Sequence, residues 1–593
     1  MPVPNLLVAG VLDEIADRLE IQGANPFRVR AYRSAARTVQ QLATDVRQMA
    51  ERGETLEGRP GIGADLAGKI AEIATTGSCG VLRDLRQQMP PAITELLKVP
   101  GLGPKRVHAL WQDLGLATVD QVLRAAREGR IHEHPGFGAK TEQHIAQVLD
   151  AQRSKAVRFT LAVAAEYATE LVRHLEAAPG TGKVAVAGSF RRMRDTVGDL
   201  DIVVTANDGA AVTDRFVHHH DVAEILSQGS TRASVRLRGG LQVDLRVVPR
   251  ESFGGALAYF TGSKAHNIAL RRLGQSLGLK INEYGVFRGD ERIAGETEAS
   301  VYRAVGLPFI PPELREDRGE LDAARDGRLP RLVARDDLQG DLHVHTNATD
   351  GRDTLEAMAE AARTQGLRYV AITDHSQRQA MAHGLDAAAL ARQGTAIARL
   401  NGALHGFRVL RGLEVDILDD GRLDMPDEAL AALDVVVAAV HSRFTLDRAR
   451  QTERILRALD HPSVTILAHP TGRLLGEREP YDVDLLQVVR KAKARGVCLE
   501  VNAQPDRLDL DDAGCRMCRD EGAMVAIGSD AHSTRDFGNL PFGVGQARRG
   551  WLERAHVLNA KPLAGLEAWL KRSRTGLPAR SHLTRPARAA SPG

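Results

Sequence analysis

From Gly340 onward the chain alternates short apolar runs with amphipathic helical stretches, and histidines or acids gather at the ends of nearly every run. The runs are Leu342–His345, Tyr369–Thr373, Val409–Val415, Val435–Val440, Val464–Ala468, Val497–Val501 and Met524–Ile527. Each has the length of a buried strand, and each is followed by enough residues for a crossover helix. Such a succession predicts a parallel sheet over 340–572, most simply closed as a (β/α)7 barrel. The carboxyl ends of barrel strands converge on one face. His343, His345, Asp350, His375, Glu414, His441, His469, Asp530 and His532 are therefore predicted to meet there. Nine imidazole and carboxylate groups exceed what one ion uses, so a site for two or three ions is expected. Mixed ligands of this kind suit Zn²⁺, Mn²⁺ or Fe without choosing among them. His383 and Arg443 lie beside ligand segments and are candidates for holding a substrate phosphate.

The 593-residue chain needs further domains ahead of this barrel. Residues 1–150 read as short helices separated by glycine turns, in which one pattern recurs: Pro60-Gly61-Ile62-Gly63, Pro100-Gly101-Leu102-Gly103 and Pro135-Gly136-Phe137-Gly138. Each Gly-x-Gly precedes an amphipathic stretch, the form of a helix-hairpin-helix. Glycines let the backbone approach a partner closely, and the amides opening the second helix point at an anion. Gly61, Gly63, Gly101, Gly103, Gly136 and Gly138 are thus candidate contacts to a DNA backbone, held without reading its sequence. The expected divisions are a helical domain over 1–88 and a second helix-hairpin-helix subdomain over 89–152. The charged, proline-punctuated segment from Pro311 to Asp337 reads as a helix plus a linker, with the linker over 319–339, and the basic tail 573–593 reads as disordered. His218–His220 read as a solvated loop. The net charge of +3 hides local contrasts and decides nothing. Four cysteines in so long a chain argue for a reducing compartment, and Cys515 and Cys518 read as ordinary helix residues. No apolar run crosses a bilayer and no signal peptide is evident, so a cytoplasmic protein is expected.

Residues 153–250 change character. A helix near 156–176 leads to apolar runs at Val184–Ala187, Asp201–Val204 and Gln242–Val248. Between them lies Gly188-Ser189-Phe190-Arg191-Arg192, followed by Gly198-Asp199-Leu200-Asp201. Carboxylates at i and i+2 on a strand share a face, and such pairs hold magnesium while substrate phosphates complete its shell. Asp244, on a neighbouring run, supplies a third carboxylate. The glycine–serine loop, with its amides and Ser189, suits a triphosphate.

These motifs resemble the nucleotidyltransferase fold, and the resemblance to polymerase beta and its family X relatives extends over residues 5–318. Its later pieces are Gly255-Ala256-Leu257-Ala258-Tyr259-Phe260-Thr261-Gly262-Ser263, then Asn267 and Arg271, then Ile281-Asn282-Glu283-Tyr284. A template-independent nucleotidyltransferase would share the first motifs but not these. The resemblance implies a catalytic palm over 153–250 and a thumb-like, nucleotide-selecting subdomain over 251–318. Asp199, Asp201 and Asp244 would bind Mg²⁺ or Mn²⁺. Gly188, Ser189, Arg192 and Arg158 would hold the triphosphate, and Tyr259, Phe260 and Gly262 would line the sugar pocket. Asn267 would meet the base and Arg271 the templating side. One departure stands out: Gln242 occupies a position that is often arginine in the family.

Asn25-Pro26-Phe27-Arg28 and Ala31-Tyr32-Arg33 resemble the family's small lyase domain, which makes Lys69 the corresponding candidate nucleophile. Asp65 replaces a flanking lysine and would favour the charged amine. In the barrel, the H-x-H, T-D-H, A-H-P and S-D-A-H pieces resemble the polymerase-and-histidinol-phosphatase (PHP) domain, which implies a distorted (β/α)7 barrel that hydrolyses phosphoesters, with all nine ligand positions filled here. Together the resemblances imply a monomeric enzyme that fills short DNA gaps from dNTPs in repair and acts on gapped or nicked DNA. Its second site would trim DNA ends as a 3′–5′ exonuclease, 3′-phosphatase or abasic-site endonuclease. Two alternatives stay open at this stage. The PHP domain would be a metal-bound scaffold, or the chain would be an end-processing nuclease whose polymerase half only grips DNA.

Overall fold

A computed structural model describes residues 5–574, apart from 41, 43–45, 60, 100, 155–157 and 380–381. The tail beyond 574, with Pro60 and Pro100, lies outside the described residues. The chain divides into two compact units, Met1–Val157 and Arg158–Gly593.

The first unit is helical and carries two apolar clusters. One gathers Leu12, Ile15, Tyr32, Ile70 and Leu82, the other Ile93, Leu110, Val122 and Ile145. Each of the three repeats makes the same turn. Gly61, Gly101 and Gly136 stand at φ of 75°, 90° and 95°, a region that side chains resist. The residue after each, Ile62, Leu102 or Phe137, is buried. Helices then open at Ala64, Pro104 and Ala139. The pattern is one device: glycine for the reversal, an apolar anchor, then exposed helix-opening amides.

The second unit begins with a five-stranded sheet: β1 (Thr181–Val186), β2 (Asp199–Ala206), β3 (Val222–Gln228), β4 (Arg232–Leu237) and β5 (Gln242–Val248). Their spatial order is β1-β2-β5-β4-β3, with only β2 and β5 parallel. Helices Leu161–Glu176 and Gly209–Val217 cover one face through Leu171, Leu175 and Phe216. Helix Phe253–Thr261 covers part of the other through Phe253, Ala256 and Leu257. Strand β3 has no alternating apolar face, because it lies at the sheet edge with most residues exposed. Its composition therefore does not announce it. The His218–His220 expectation is corrected in part: His219 is 5% exposed, with its ring 4.7 Å from that of His174.

A small meander follows, β6 (Lys280–Asn282), β7 (Gly285–Arg288) and β8 (Glu291–Ala294), flanked by helices Lys264–Ser276 and Glu298–Ala304. The stretch read as a linker is packed. Helix Glu320–Arg325 buries Glu320, Ala323 and Ala324, and Ala323 and Ala324 join an apolar cluster with Leu332 and Trp551. Charge along the segment concealed these few small buried contacts.

The barrel strands are β9 (Gly340–Val344), β10 (Tyr369–Ile372), β11 (Arg408–Asp416), β12 (Val435–Ala439), β13 (Ile466–Leu467), β14 (Cys498–Asn502) and β15 (Val525–Gly528). All neighbours are parallel and follow chain order. A bridge between Val344 and Ala531 brings the first strand back to the last, with the His345 amide donating to Ala531 O at 2.8 Å. Both faces of the wall are buried: along β12, Val435, Val437 and Ala439 join one apolar cluster, and Val436 and Ala438 another. This double burial is why these strands read as continuous apolar runs.

The barrel is joined to the five-stranded sheet by packing. Leu508 is fully buried in the apolar cluster of that sheet. Arg473 donates to Asp195 at 3.1 Å and to Leu508 O at 2.5 Å. Sequence alone left the placement of these two halves open.

Candidate active sites

Strand pairing assembles the first site. Asp201 and Asp244 are register partners on β2 and β5, and Asp199 pairs with Gln242. Asp199 and Asp201 share a face by the two-residue period of a strand, so three carboxylates converge. Burial, reinforced by the charges of Asp199 and Asp244, pushes the Asp201 carboxyl up to about 7. Burial and Asp244 likewise raise Asp199. Crowded carboxylates that resist ionisation are the donor set a divalent cation stabilises, so Mg²⁺ or Mn²⁺ fits here. Asp244 is oriented by Ser234 and by Gln242, whose Nε2 donates to it at 3.0 Å.

Gly188 approaches this cluster so closely that a Cβ would stand 2.6 Å from Asp201 Oδ2. A cavity of about 750 Å³ opens beside it, lined by Arg158, Gly188, Ser189, Arg192, Asp199, Asp201, Tyr259, Phe260, Gly262, Asn267 and Arg271. The cavity thus gathers every sequence candidate of this site except Asp244. Asn267 Nδ2 donates to Tyr259 O at 2.7 Å, which ties the two cavity-lining residues together. Arg158 is held by Thr196, through its hydroxyl at 2.9 Å and its carbonyl at 2.5 Å. Sequence reasoning missed Arg194 and Lys264, two further cations on the cavity wall.

The second site lies at the carboxyl ends of the barrel strands. Glu414, 1% exposed, stands at its centre. Imidazole nitrogens of His375, His469, His441, His343 and His345 lie 2.9, 3.0, 3.2, 3.4 and 3.6 Å from its carboxylate oxygens. Asp530 lies 3.1 Å from His345, and Asp350 lies 3.4 and 3.5 Å from His375 and His532. All nine predicted residues therefore meet. Eight of them form three overlapping clusters: His345, Asp350, His375 and His532; His343, His345 and Asp530; and His375, Glu414 and His441, with His469 beside Glu414. Burial alone would lower His375, but Glu414 and Asp350 carry it up to about 11.

Several of the imidazole nitrogens, His343 Nε2, both nitrogens of His345, His375 Nδ1 and His469 Nδ1, are buried without a hydrogen-bond partner. Buried polar atoms are normally paired, and metal ions would satisfy these lone pairs and neutralise the buried carboxylates. The donor set fits a polynuclear metal centre. Among the residues that sequence missed, Glu500 accepts from His343 Nδ1 at 2.7 Å, Asp416 from His441 Nδ1 at 2.6 Å, and Asn502 donates to Asp530 at 3.0 Å. Asp416 follows Glu414 by two residues on β11, and that same-face spacing was the available signal. His383 and Arg443 are exposed, and Arg443 pairs with Asp419 at 3.0 Å.

Known proteins resemble the chain throughout its length. A 37% identical relative, "DNA polymerase/3'-5' exonuclease PolX" of Bacillus subtilis, aligns over 567 residues, which is 95% of this chain and 98% of its own. The chain belongs to the PolX family. PolX members are family X DNA polymerases with a C-terminal PHP domain, and four family models match stretches of this chain. They are a helix-hairpin-helix domain (3–79), a SAM-like helix-hairpin-helix tandem (93–150), a DNA polymerase beta thumb (256–316) and a PHP domain (341–504). A probable phosphatase of Edwardsiella ictaluri is 32% identical over 253 residues, 40% of this chain and 96% of its own. One of a Thermoanaerobacter species is 28% identical over 230 residues, 37% and 89%.

In the helical unit of this PolX member, Gly63 and Gly103 directly precede the helices that the repeats predict, and Gly138 does the same. Lys69 stands on helix Ala64–Thr76, its amine paired with Asp65 and 6.0 Å from the Tyr32 ring. Partial burial would lower its pKa, but Asp65 and Tyr32 outweigh this and raise it. Cys515 and Cys518 are buried core thiols on helix Asp512–Glu521. No helix among the described residues is long and apolar enough to cross a membrane.

Proposed function

We propose that this polymerase fills short gaps in DNA during repair, using dNTPs, and that its PHP site removes nucleotides or phosphates from DNA ends. The convergence of Asp199, Asp201 and Asp244 on a cavity of nucleotide size supports the first activity. In this reading Asp199, Asp201 and Asp244 would hold Mg²⁺ or Mn²⁺, which would supply Lewis-acid activation and charge neutralisation for nucleotidyl transfer. Ser189 and the loop amides beside Gly188 bind the triphosphate, and Arg158 and Arg192 offset its charge. Tyr259 and Phe260 limit the space around the sugar, and Asn267 and Arg271 face the nascent pair. Gln242 fixes Asp244 where other family members often carry arginine. It is neutral, so it tunes the rate of proton loss from the hydroxyl without supplying a charge.

At the PHP site, His343, His345, Asp350, His375, Glu414, His441, His469, Asp530 and His532 would hold two or three Zn²⁺, Mn²⁺ or Fe ions, which supply Lewis-acid activation of water. Asp416 and Glu500 orient His441 and His343 for that task. The glycine turns of the helical unit anchor the duplex by its phosphates, which suits gaps that occur anywhere in a sequence. Lys69 is the candidate lyase amine, held in its charged form by Asp65.

A one-nucleotide-gapped duplex with Mg²⁺ or Mn²⁺ tests the reading. Asp199→Ala should lose extension and retain 3′ degradation, and His343→Ala should do the reverse. Unchanged 3′ degradation in His343→Ala, with ions present, would remove the PHP site from end processing.

A further inference from the structure

The turn that carries Arg192 is held from the PHP domain. Helix Leu540–Arg549 of that domain presents Gln546 and Arg549 one turn apart. Gln546 Nε2 donates to Met193 O at 2.9 Å, and Arg549 Nη1 donates to Arg192 O at 2.8 Å. Two successive carbonyls leaving the Gly188-Ser189 loop are thus capped by one helix face. Gly545 permits the approach, since a Cβ there would stand 2.5 Å from the Met193 side chain.

The same arginine completes a charge chain. Arg192 Nε donates to Glu316 Oε1 at 3.0 Å, and Arg549 Nη1 donates to the same oxygen at 2.9 Å. Arg549 Nη2 continues to Asp512 at 2.7 Å, which also accepts from Arg318 at 2.8 Å. The charges alternate from Arg192 to Arg318, three cations to two anions. Arg549 is 2% exposed and the Glu316 side chain 12%, so water screens this contact weakly. Burial would raise Glu316, but Arg192 and Arg549 keep it below the usual carboxylate range. Without Arg549, Glu316 would stand as an unshared anion against the guanidinium that faces the cavity.

From this we infer that Arg549 and Gln546, though part of the PHP domain, are positioning residues of the polymerase site. They fix the phosphate-loop turn, and Arg549 shares the Glu316 carboxylate, so that Glu316 does not cancel the positive field that Arg192 presents to an incoming triphosphate. The inference rests on the polymerase reading above.

The test uses the full chain, a one-nucleotide-gapped duplex and a dNTP titration, with 3′ degradation of a single strand in Mn²⁺ as the measure of an intact PHP domain. Arg549→Ala should raise KM for dNTP by about tenfold, the scale of coupling within one ion-pair network. Its effect on kcat should be smaller, and 3′ degradation should be unchanged. Arg549→Lys should recover part of the loss. In a Glu316→Gln background the Arg549 substitution should raise KM far less, because the charge to be neutralised is gone. Unchanged KM in Arg549→Ala, or strictly additive effects of the two substitutions, would overturn the inference. If Arg549→Ala does not fold, Arg549→Lys with and without Glu316→Gln must show the same non-additivity. Failure of the wild type to extend at all would sink the polymerase reading itself, and this inference with it.

Discussion

At Gly188 the backbone sits at φ 64°, and an added Cβ would press on Asp201. Gly188→Ala therefore has two costs, a strained residue of roughly 1–3 kcal/mol and a displaced carboxylate. Extension should fall by about two orders of magnitude, the usual effect of displacing catalytic groups by an ångström, whereas 3′ degradation should persist. Near-normal extension would show that the loop tolerates the side chain. Lys69 offers a second test at this scale. Because Asp65 holds the amine in its charged form, Asp65→Ala should lower the lysine pKa and enlarge the reactive neutral fraction. Borohydride trapping of the chain on an incised abasic site at pH 7.5 should then increase. An unchanged or smaller yield would mean that Lys69 is not the amine that reacts. Both residues were legible in the sequence, Gly188 from its motif and Asp65 from its replacement of a lysine in the lyase pattern that the chain resembles. Ser234, which orients Asp244, was not, because nothing local marks an isolated serine on an unannounced strand.

Among the elements, helix Glu298–Ala304 is tied to the polymerase core by one carboxylate between two guanidiniums. Glu298 accepts from Arg191 at 2.8 and 2.5 Å and from Arg315, itself fully buried, at 2.7 Å. Glu298→Ala would leave a buried arginine uncompensated, at a cost of roughly 3–5 kcal/mol. Burial would raise the Glu298 pKa, but the two arginines hold it below the ordinary 4.5. A carboxylate depressed in the folded state contributes stability above its unfolded pKa and loses it as pH falls through the folded value. Chemical denaturation should therefore separate wild type from Glu298→Gln at pH 7, and the gap should narrow below pH 4.5. A constant gap would assign the difference to shape instead of charge. Most elements were readable in advance, since the seven barrel runs and the two aspartate strands carry strong apolar patterns. Strand β3 was not, because it lies exposed at a sheet edge, and helix Glu320–Arg325 was legible only as a helix within Pro311 to Asp337, because it buries few residues under a charged surface.

Across the whole molecule, the metal centre joins strands from every part of the barrel, so its ions should stabilise the PHP domain as a unit. Ions that bind only the folded chain raise the melting temperature by mass action. Chelation should lower it by several degrees in the wild type, by about 1.4 kcal/mol for each tenfold change in the binding ratio. Mn²⁺ or Zn²⁺ should restore it. His441→Ala should shrink that shift, and a wild type indifferent to chelation would mean that the cluster holds no ion. By itself the sequence determined the division into a helical part, a nucleotidyltransferase-like part and a barrel, because periodicity and glycine turns are local properties of the chain. It also singled out the nine imidazole and carboxylate residues and the three aspartates that the fold brings together, because strand ends and alternate strand positions converge by simple geometry. Only the tertiary structure decided which groups orient them, namely Glu500, Asp416 and Asn502, and that Gln242 serves Asp244. It alone set the PHP helix beneath the Arg192 turn. The longest of those contacts joins Arg192 and Arg549, 357 positions apart, through packing between separate sheets, and no local pattern records a partner chosen in that way.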